Sequence, residues 1–164
     1  MSKGEIIAES AVRFVRVLPG PLEKAWRFLT DTTCLPQWYG EGSMQPREGG
    51  AVTLMGGHVR GVVTGWRPEK FLGYTWNVFS PGEEVSRFSV SYLEFALQAE
   101  DKAVRLTLTH RPIPHAMQNQ TAMGWHTMLD LMKAGLNDEF PPRAGISAKN
   151  AALYGVDLNN LKKA

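Results

Sequence analysis

The sequence predicts an α+β fold in which a curved antiparallel sheet of six to seven strands surrounds one long helix. Alternating apolar and polar residues form a strand meander from residue 42 to 111. One long amphipathic pattern follows, roughly over 116–137, and a helix of about 33 Å would cross a strongly curved sheet. Two short helical patterns separate the first strand from the meander.

The first strand and the two short helices occupy residues 11–38. The segment AVRFVRVL at 11–18 alternates, with Val12 and Phe14 on one side. Pro21 can begin a helix, because its missing N–H is not needed there. The apolar residues that follow have helical spacing: Leu22, Ala25, Trp26 and Leu29. Asp31 or Thr32 can cap a second helical turn towards Trp38.

Turns rich in glycine, proline and charged residues divide the meander into strands. They predict strands at 51–55, 58–66, 71–79, 87–99 and 104–111. In the last strand Val104, Leu106, Leu108 and His110 share one face, and arginine and threonine occupy the other.

The long helix changes character along its length. An apolar stripe comprises Trp125, Met128, Leu129, Met132 and Leu136. Upstream, Gln118, Thr121 and Ala122 on the same stripe are polar or small. The pattern therefore predicts an anchoring half, from Trp125 to Leu136, and a cavity-facing half, from Met117 to Ala122. His126 lies off the stripe, so we expect it to be exposed.

Length and composition favour one globular domain with an arm. We divide the 164 residues into an N-terminal leader (1–9), a domain (10–137) and a C-terminal arm (138–164), with a short helix from Ser147 to Leu153. A net charge of +2 without basic runs argues against nucleic-acid binding. The sequence lacks a signal peptide and an apolar segment long enough to cross a membrane, and Cys34 is its sole cysteine. We therefore expect a cytoplasmic protein.

Several segments resemble one known family. They are AWRFLTDTTCLPQWYG, the glycine pair at 49–50, GVVTGWRPEKFLGYTW, VRLTLTH and GWHTMLDLM. In order and spacing they are similar to proteins related to the C-terminal domain of the heat-shock protein 90 ATPase activator. That family belongs to the START/polyketide-cyclase (SRPBCC, Bet v 1-like) superfamily. The resemblance covers roughly residues 10–137.

The resemblance implies a helix-grip fold with a cavity between the sheet and the long helix. Members of the superfamily bind lipids, hormones or polyketides, and a minority catalyse cyclisation or hydrolysis. We therefore expect a small hydrophobic or aromatic molecule to bind in the cavity. The expected cavity residues are Trp38, Trp66, Trp76, Phe95, Leu108, His110, Met117, Gln118, Thr121 and Trp125. Each tryptophan could equally be an ordinary core residue.

Two other functions stay open. A cyclase or hydrolase could use His110 as its acid–base residue, whereas a purely structural role would leave a buried imidazole with a carbonyl or water partner. No nucleophile, metal or phosphate-loop motif is present, so we expect no metal and no cofactor and favour binding over catalysis. The third function is a chaperone-regulating interaction module. The arm and an outer sheet face with Val90 and Tyr92 could also form a homodimer.

Overall fold

A computed structural model describes residues 3–8, 11–80, 82–86 and 89–161, without the side chains of 5–8. Predicted features at residues 1–2, 9–10, 81, 87–88 and 162–164 lie outside this part. The strands are β1 (Glu5–Ala8), β2 (Ala11–Pro19), β3 (Ser43–Met44), β4 (Ala51–Leu54), β5 (Val59–Arg67), β6 (Phe71–Val78), β7 (Ser91–Glu100) and β8 (Ala103–Arg111). The helices are α1 (Leu22–Thr30), α2 (Gln118–Leu136) and α3 (Arg143–Tyr154). Short 3₁₀ turns occupy Leu35–Gln37, Met55–Gly57 and His115–Met117.

The strands form one antiparallel sheet in the order β1-β2-β8-β7-β6-β5-β4-β3. This arrangement confirms the predicted α+β, helix-grip fold. Within the described residues the sheet has eight strands, three of which have four residues or fewer. The sequence did not predict β1 and β3, whose four and two residues give little alternation, whereas the equally short β4 was found from the glycine turns beside it.

Alternation along the central strands gives the sheet one apolar face. Val104, Leu106, Leu108 and His110 of β8 are all buried, as their spacing predicts. The register places Leu93 opposite His110 and Phe95 opposite Leu108, so β7 and β8 contribute a continuous inner surface. Helix α2 packs on this surface.

Helix α2 presents the predicted stripe to the sheet, and Trp125, Leu129 and Met132 are almost completely buried. The expectation that His126 is exposed is wrong, because its side chain is only 1% exposed. His126 lies on the side of α2 that α3 covers, and its ring nitrogen Nδ1 is 2.9 Å from the Tyr154 hydroxyl. Helix α2 is therefore buried on two sides.

Two short elements after β2 close one end of the core. Helix α1 confirms the first predicted helix, and the second is a 3₁₀ turn of three residues at Leu35–Gln37. Asp31 organises the connection by accepting a hydrogen bond from the Thr33 backbone N–H at 2.8 Å. Close packing of α1 on α2 requires Gly135, since a Cβ there would lie 2.7 Å from the Phe28 ring.

The C-terminal arm packs on the body of the protein. In α3 the side chains of Asn150, Ala151 and Tyr154 are buried against α2. Arg143 at its start donates to the Trp38 carbonyl oxygen at 2.7 Å. The leader–domain–arm division stays a prediction, although residues 5–8 pair with β2. None of the described helices has the length and apolar character needed to span a bilayer.

Candidate ligand site

The site is built around an aromatic cluster between the sheet and α2. We use this name for Trp38, Tyr39, Tyr74, Trp76, Phe95 and Trp125, whose rings form a chain of contacts. Trp125 is at its centre, with ring centroids 5.4 Å from Trp76, 5.8 Å from Tyr39 and 6.1 Å from Phe95. Edge-to-face and tilted geometries of this kind are favourable for aromatic pairs.

The local sequence explains why these rings meet. Tyr74 and Trp76 alternate on the inner face of β6, and Phe95 lies opposite Leu72 on β7. Trp38 and Tyr39 enter from the 3₁₀ turn after α1, where Trp38 is fixed by donating its indole N–H to the Phe28 carbonyl at 2.7 Å. Three separate segments therefore enclose Trp125.

A chain of hydrogen bonds connects the cluster to His110. Trp125 Nε1–H donates to His110 Nδ1 at 3.0 Å, and His110 Nε2 lies 2.7 Å from Ser91 Oγ. Because an indole nitrogen can only donate, Nδ1 must be the unprotonated nitrogen and Nε2 must carry the hydrogen. Ser91 Oγ then accepts from Nε2 and donates to the Trp76 carbonyl at 3.4 Å.

Burial keeps the His110 imidazole neutral. The side chain is 3% exposed, and desolvation lowers its pKa from 6.5 to about 3. Both ring nitrogens have protein partners, and protonation of Nδ1 would break the bond from Trp125. An acid–base group needs a pKa near the working pH and access to the substrate proton. The geometry therefore favours a structural role for His110.

A second polar pair stabilises the other side of the cluster. The Tyr74 hydroxyl donates to the Tyr39 hydroxyl at 3.0 Å, and both side chains are buried. Burial is the main cause that raises the pKa of each phenol, so both remain protonated at neutral pH. The cluster is thus a set of uncharged rings.

The upstream half of α2 continues past the cluster. Gln118 and Ala122 lie seven and three residues before Trp125, on the same face of the helix. Both are buried, and Met117 and Thr121 beside them are half-buried. This part of the helix presents small or flexible side chains where the downstream half presents bulky apolar ones.

Solvent reaches the cluster at one end of the sheet. Trp76 is half-buried although its ring lies 5.0 Å from that of His110 and contacts Trp125. Val78, two residues further along β6, and Met55, before β5, are also half-buried and pack against the core. These three half-covered apolar side chains are where a ligand from solvent could contact the aromatic cluster.

The structure brings most of the predicted site residues together. Trp38, Phe95, Leu108, His110 and Trp125 are buried in or against the cluster. Trp66 lies apart from it, because it stands opposite Leu72 in the β5–β6 register and packs on Trp26 of α1 at 5.2 Å. Its assignment to the site, like that of the other candidates, stays a prediction.

Sequence reasoning did not find the two tyrosines. Tyr74 could have been found, since it shares the inner face of β6 with Leu72 and Trp76. Tyr39 follows an irregular turn, where no periodic pattern shows which way a side chain points. Within the described residues no group of three or more histidine, cysteine or acidic side chains is placed to hold a metal ion.

Comparison with solved structures agrees with this architecture. CalU16 from Micromonospora echinospora superposes with a TM-score of 0.70 at 22% identity, over 88% of this chain and 86% of that one. A protein from Bordetella parapertussis gives 0.69 at 24% identity, over 93% and 90%. One from Mesorhizobium loti gives 0.67 at 23% identity, over 78% and 96%. These likenesses support the helix-grip fold.

No curated protein matches the sequence. A family match, in contrast, covers residues 19–137, from the end of β2 to the end of α2. That span includes α1, the sheet from β3 to β8 and every residue of the aromatic cluster. The chain belongs to the family described as Activator of Hsp90 ATPase homolog 1-like protein.

Proposed function

We propose that the protein binds a small hydrophobic or aromatic molecule between the sheet and the upstream half of α2. The observation that carries the proposal is Trp76, whose ring is part of the aromatic cluster and is still partly open to solvent. A ligand that stacks on this ring would extend the cluster towards Met55 and Val78. Uncharged, mostly apolar walls of this kind suit small apolar ligands.

The proposal is tested with N-phenyl-1-naphthylamine, an uncharged probe that becomes fluorescent in apolar sites. We expect binding by the native protein and at least about fivefold weaker binding by Trp76→Leu, since an aromatic contact contributes about 1 kcal/mol. The matched control is Trp66→Leu, which removes a half-buried tryptophan outside the cluster. Equal binding by the native protein and Trp76→Leu would contradict the proposal, and so would an effect confined to Trp66→Leu.

Catalysis is the weaker alternative. It would need His110 to exchange a proton with a substrate, yet both of its nitrogens are bonded inside the protein. The family description names an activator of the Hsp90 ATPase, but the match over residues 19–137 identifies a family and not a partner. Regulation of a chaperone therefore stays a prediction.

A further inference from the structure

Gln118 has an unusual environment for an amide side chain. It begins α2, is 5% exposed, and lies on the face of the helix that carries Ala122 and Trp125. Its nitrogen Nε2 is buried and has no hydrogen-bond acceptor among the described residues. Leaving a buried amide N–H without an acceptor is costly, so such groups are rare and need a reason.

The buried polar groups of the cluster itself, and of the His110 and Ser91 side chains bonded to it, have protein partners. Trp38 donates to a backbone carbonyl, the two tyrosine hydroxyls bond to each other, and Trp125, His110 and Ser91 form one chain. These bonds hold the rings in place, and the polar atoms that make them already have hydrogen-bond partners within the protein. The Gln118 amide therefore differs from its neighbours in being able to donate to a molecule from outside.

The charge of the surroundings limits which acceptor fits. Met117, Thr121 and Ala122 next to Gln118 carry no formal charge, and the phenols and imidazole of the cluster are neutral. A carboxylate or phosphate that contacted only these neutral groups would have no opposite charge to compensate its own. A carbonyl oxygen on an uncharged molecule has no such cost and matches the geometry of an amide donor.

We propose that Gln118 donates a hydrogen bond from Nε2 to a carbonyl-type oxygen of the ligand and selects uncharged ligands that carry one. This inference rests on the proposed function, since it assigns the polar contact of the same site. The apolar body of the ligand would contact Trp76, and its oxygen would lie towards the start of α2.

Two matched fluorescent probes separate the polar contact from apolar binding. The probe 6-propionyl-2-(dimethylamino)naphthalene carries a carbonyl whose emission shifts to longer wavelength when it accepts a hydrogen bond. The compound 2-(dimethylamino)naphthalene has the same body without the carbonyl. In Gln118→Met we expect the carbonyl probe to bind about five- to tenfold more weakly with blue-shifted emission, whereas the other probe binds within twofold of the native protein.

Two further variants and a melting measurement complete the test. Gln118→Glu, which replaces the donor by an acceptor, should weaken binding of the carbonyl probe at least as much as Gln118→Met does. Asn119→Leu alters the adjacent exposed residue and should leave the binding of both probes unchanged. Because methionine removes an unpaired buried donor, the Tm of free Gln118→Met should equal or exceed that of the native protein.

The outcomes distinguish the two proposals. If both probes bind and Gln118→Met affects neither or affects both equally, the Gln118 inference is overturned and the binding function remains. A Tm several degrees lower in Gln118→Met would also overturn it, because it would reveal a structural partner for the amide. If neither probe binds the native protein, the binding function itself fails.

Discussion

At the scale of single residues, His110 shows how burial decides what a side chain does. The same imidazole could be a catalyst in an open cleft, but here it accepts from Trp125 and donates to Ser91. Those two bonds fix its tautomer and attach α2 to β7 and β8. Hydrogen bonds inside an apolar core stabilise one arrangement strongly, because any other arrangement leaves a polar atom without a partner. We therefore interpret His110 as a positioning residue for Trp125.

Acid should destabilise the protein through His110. Its pKa is about 3 in the folded state against an unperturbed 6.5, so the unfolded chain binds the proton more readily. The stabilisation is complete above pH 6.5 and is lost as the pH falls towards 3. For this one group the free energy of unfolding should fall by about 1.4 kcal/mol per pH unit within that window. Burial also lowers the pKa of His126, which acts in the same direction.

Urea unfolding at a series of pH values from 7 to 4.5 measures this effect. His110→Gln should be less stable at pH 7 but should show a shallower pH dependence than the native protein. The matched control is His58→Gln, which removes an exposed histidine and leaves the buried bonds intact. A slope that is the same in the native protein and His110→Gln would show that this imidazole does not titrate as its burial requires.

At the scale of elements, α3 is held by a buried polar network as well as by apolar contacts. The Tyr154 hydroxyl accepts from the Gly4 backbone N–H at 2.7 Å and lies 2.9 Å from His126 Nδ1. Asn150, which is fully buried, donates to Thr127 Oγ1 at 3.2 Å and to Asp130 Oδ2 at 3.1 Å. One tyrosine thus joins the start of the chain, α2 and α3.

Removing that hydroxyl should loosen both ends of the chain together. Tyr154→Phe keeps the ring but leaves a buried imidazole nitrogen and a backbone N–H without their partner, at a cost of about 1–3 kcal/mol. We expect faster amide hydrogen exchange over residues 143–154 and also at 3–8, measured by mass spectrometry. Leu153→Ala, on the exposed side of α3, is the control and should leave residues 3–8 unchanged. Acceleration confined to α3 would contradict the proposed connection.

The elements also show how far the sequence predicts the structure. The alternation in β8 and the apolar stripe of α2 were sufficient to predict which side chains of these two elements face the core. A strand or helix that is buried on one face repeats its apolar residues at a fixed period. The environment of His126 could not be predicted in this way. It depends on α3 folding back over α2, and α3 itself begins four residues before the predicted Ser147. The pairing of Tyr39 with Tyr74 depends on an irregular turn and likewise has no periodic signal.

At the scale of the whole molecule, two separate surfaces carry exposed apolar side chains that could contact a second copy. One is the outer face of the sheet, where Val90 and Tyr92 are 41% and 48% exposed. The other is the arm, where Leu153 and Leu158 are 42% and 41% exposed. Either could be the contact surface of the predicted homodimer, and single variants can distinguish them because each surface is altered without touching the core.

We predict that the outer sheet face forms the homodimer. Tyr92 stands opposite Arg111 in the β7–β8 register, and a two-fold axis that passes close to Tyr92 would bring the two copies of this side chain together. Tyr92→Lys would then place like charges in contact, next to Arg111, and we expect light scattering to show a mass of about 18 kDa instead of twice that value. Leu158→Lys is the control and should stay dimeric. A monomeric native protein at 100 µM would refute the homodimer, whereas dissociation only in Leu158→Lys would move the contact to the arm.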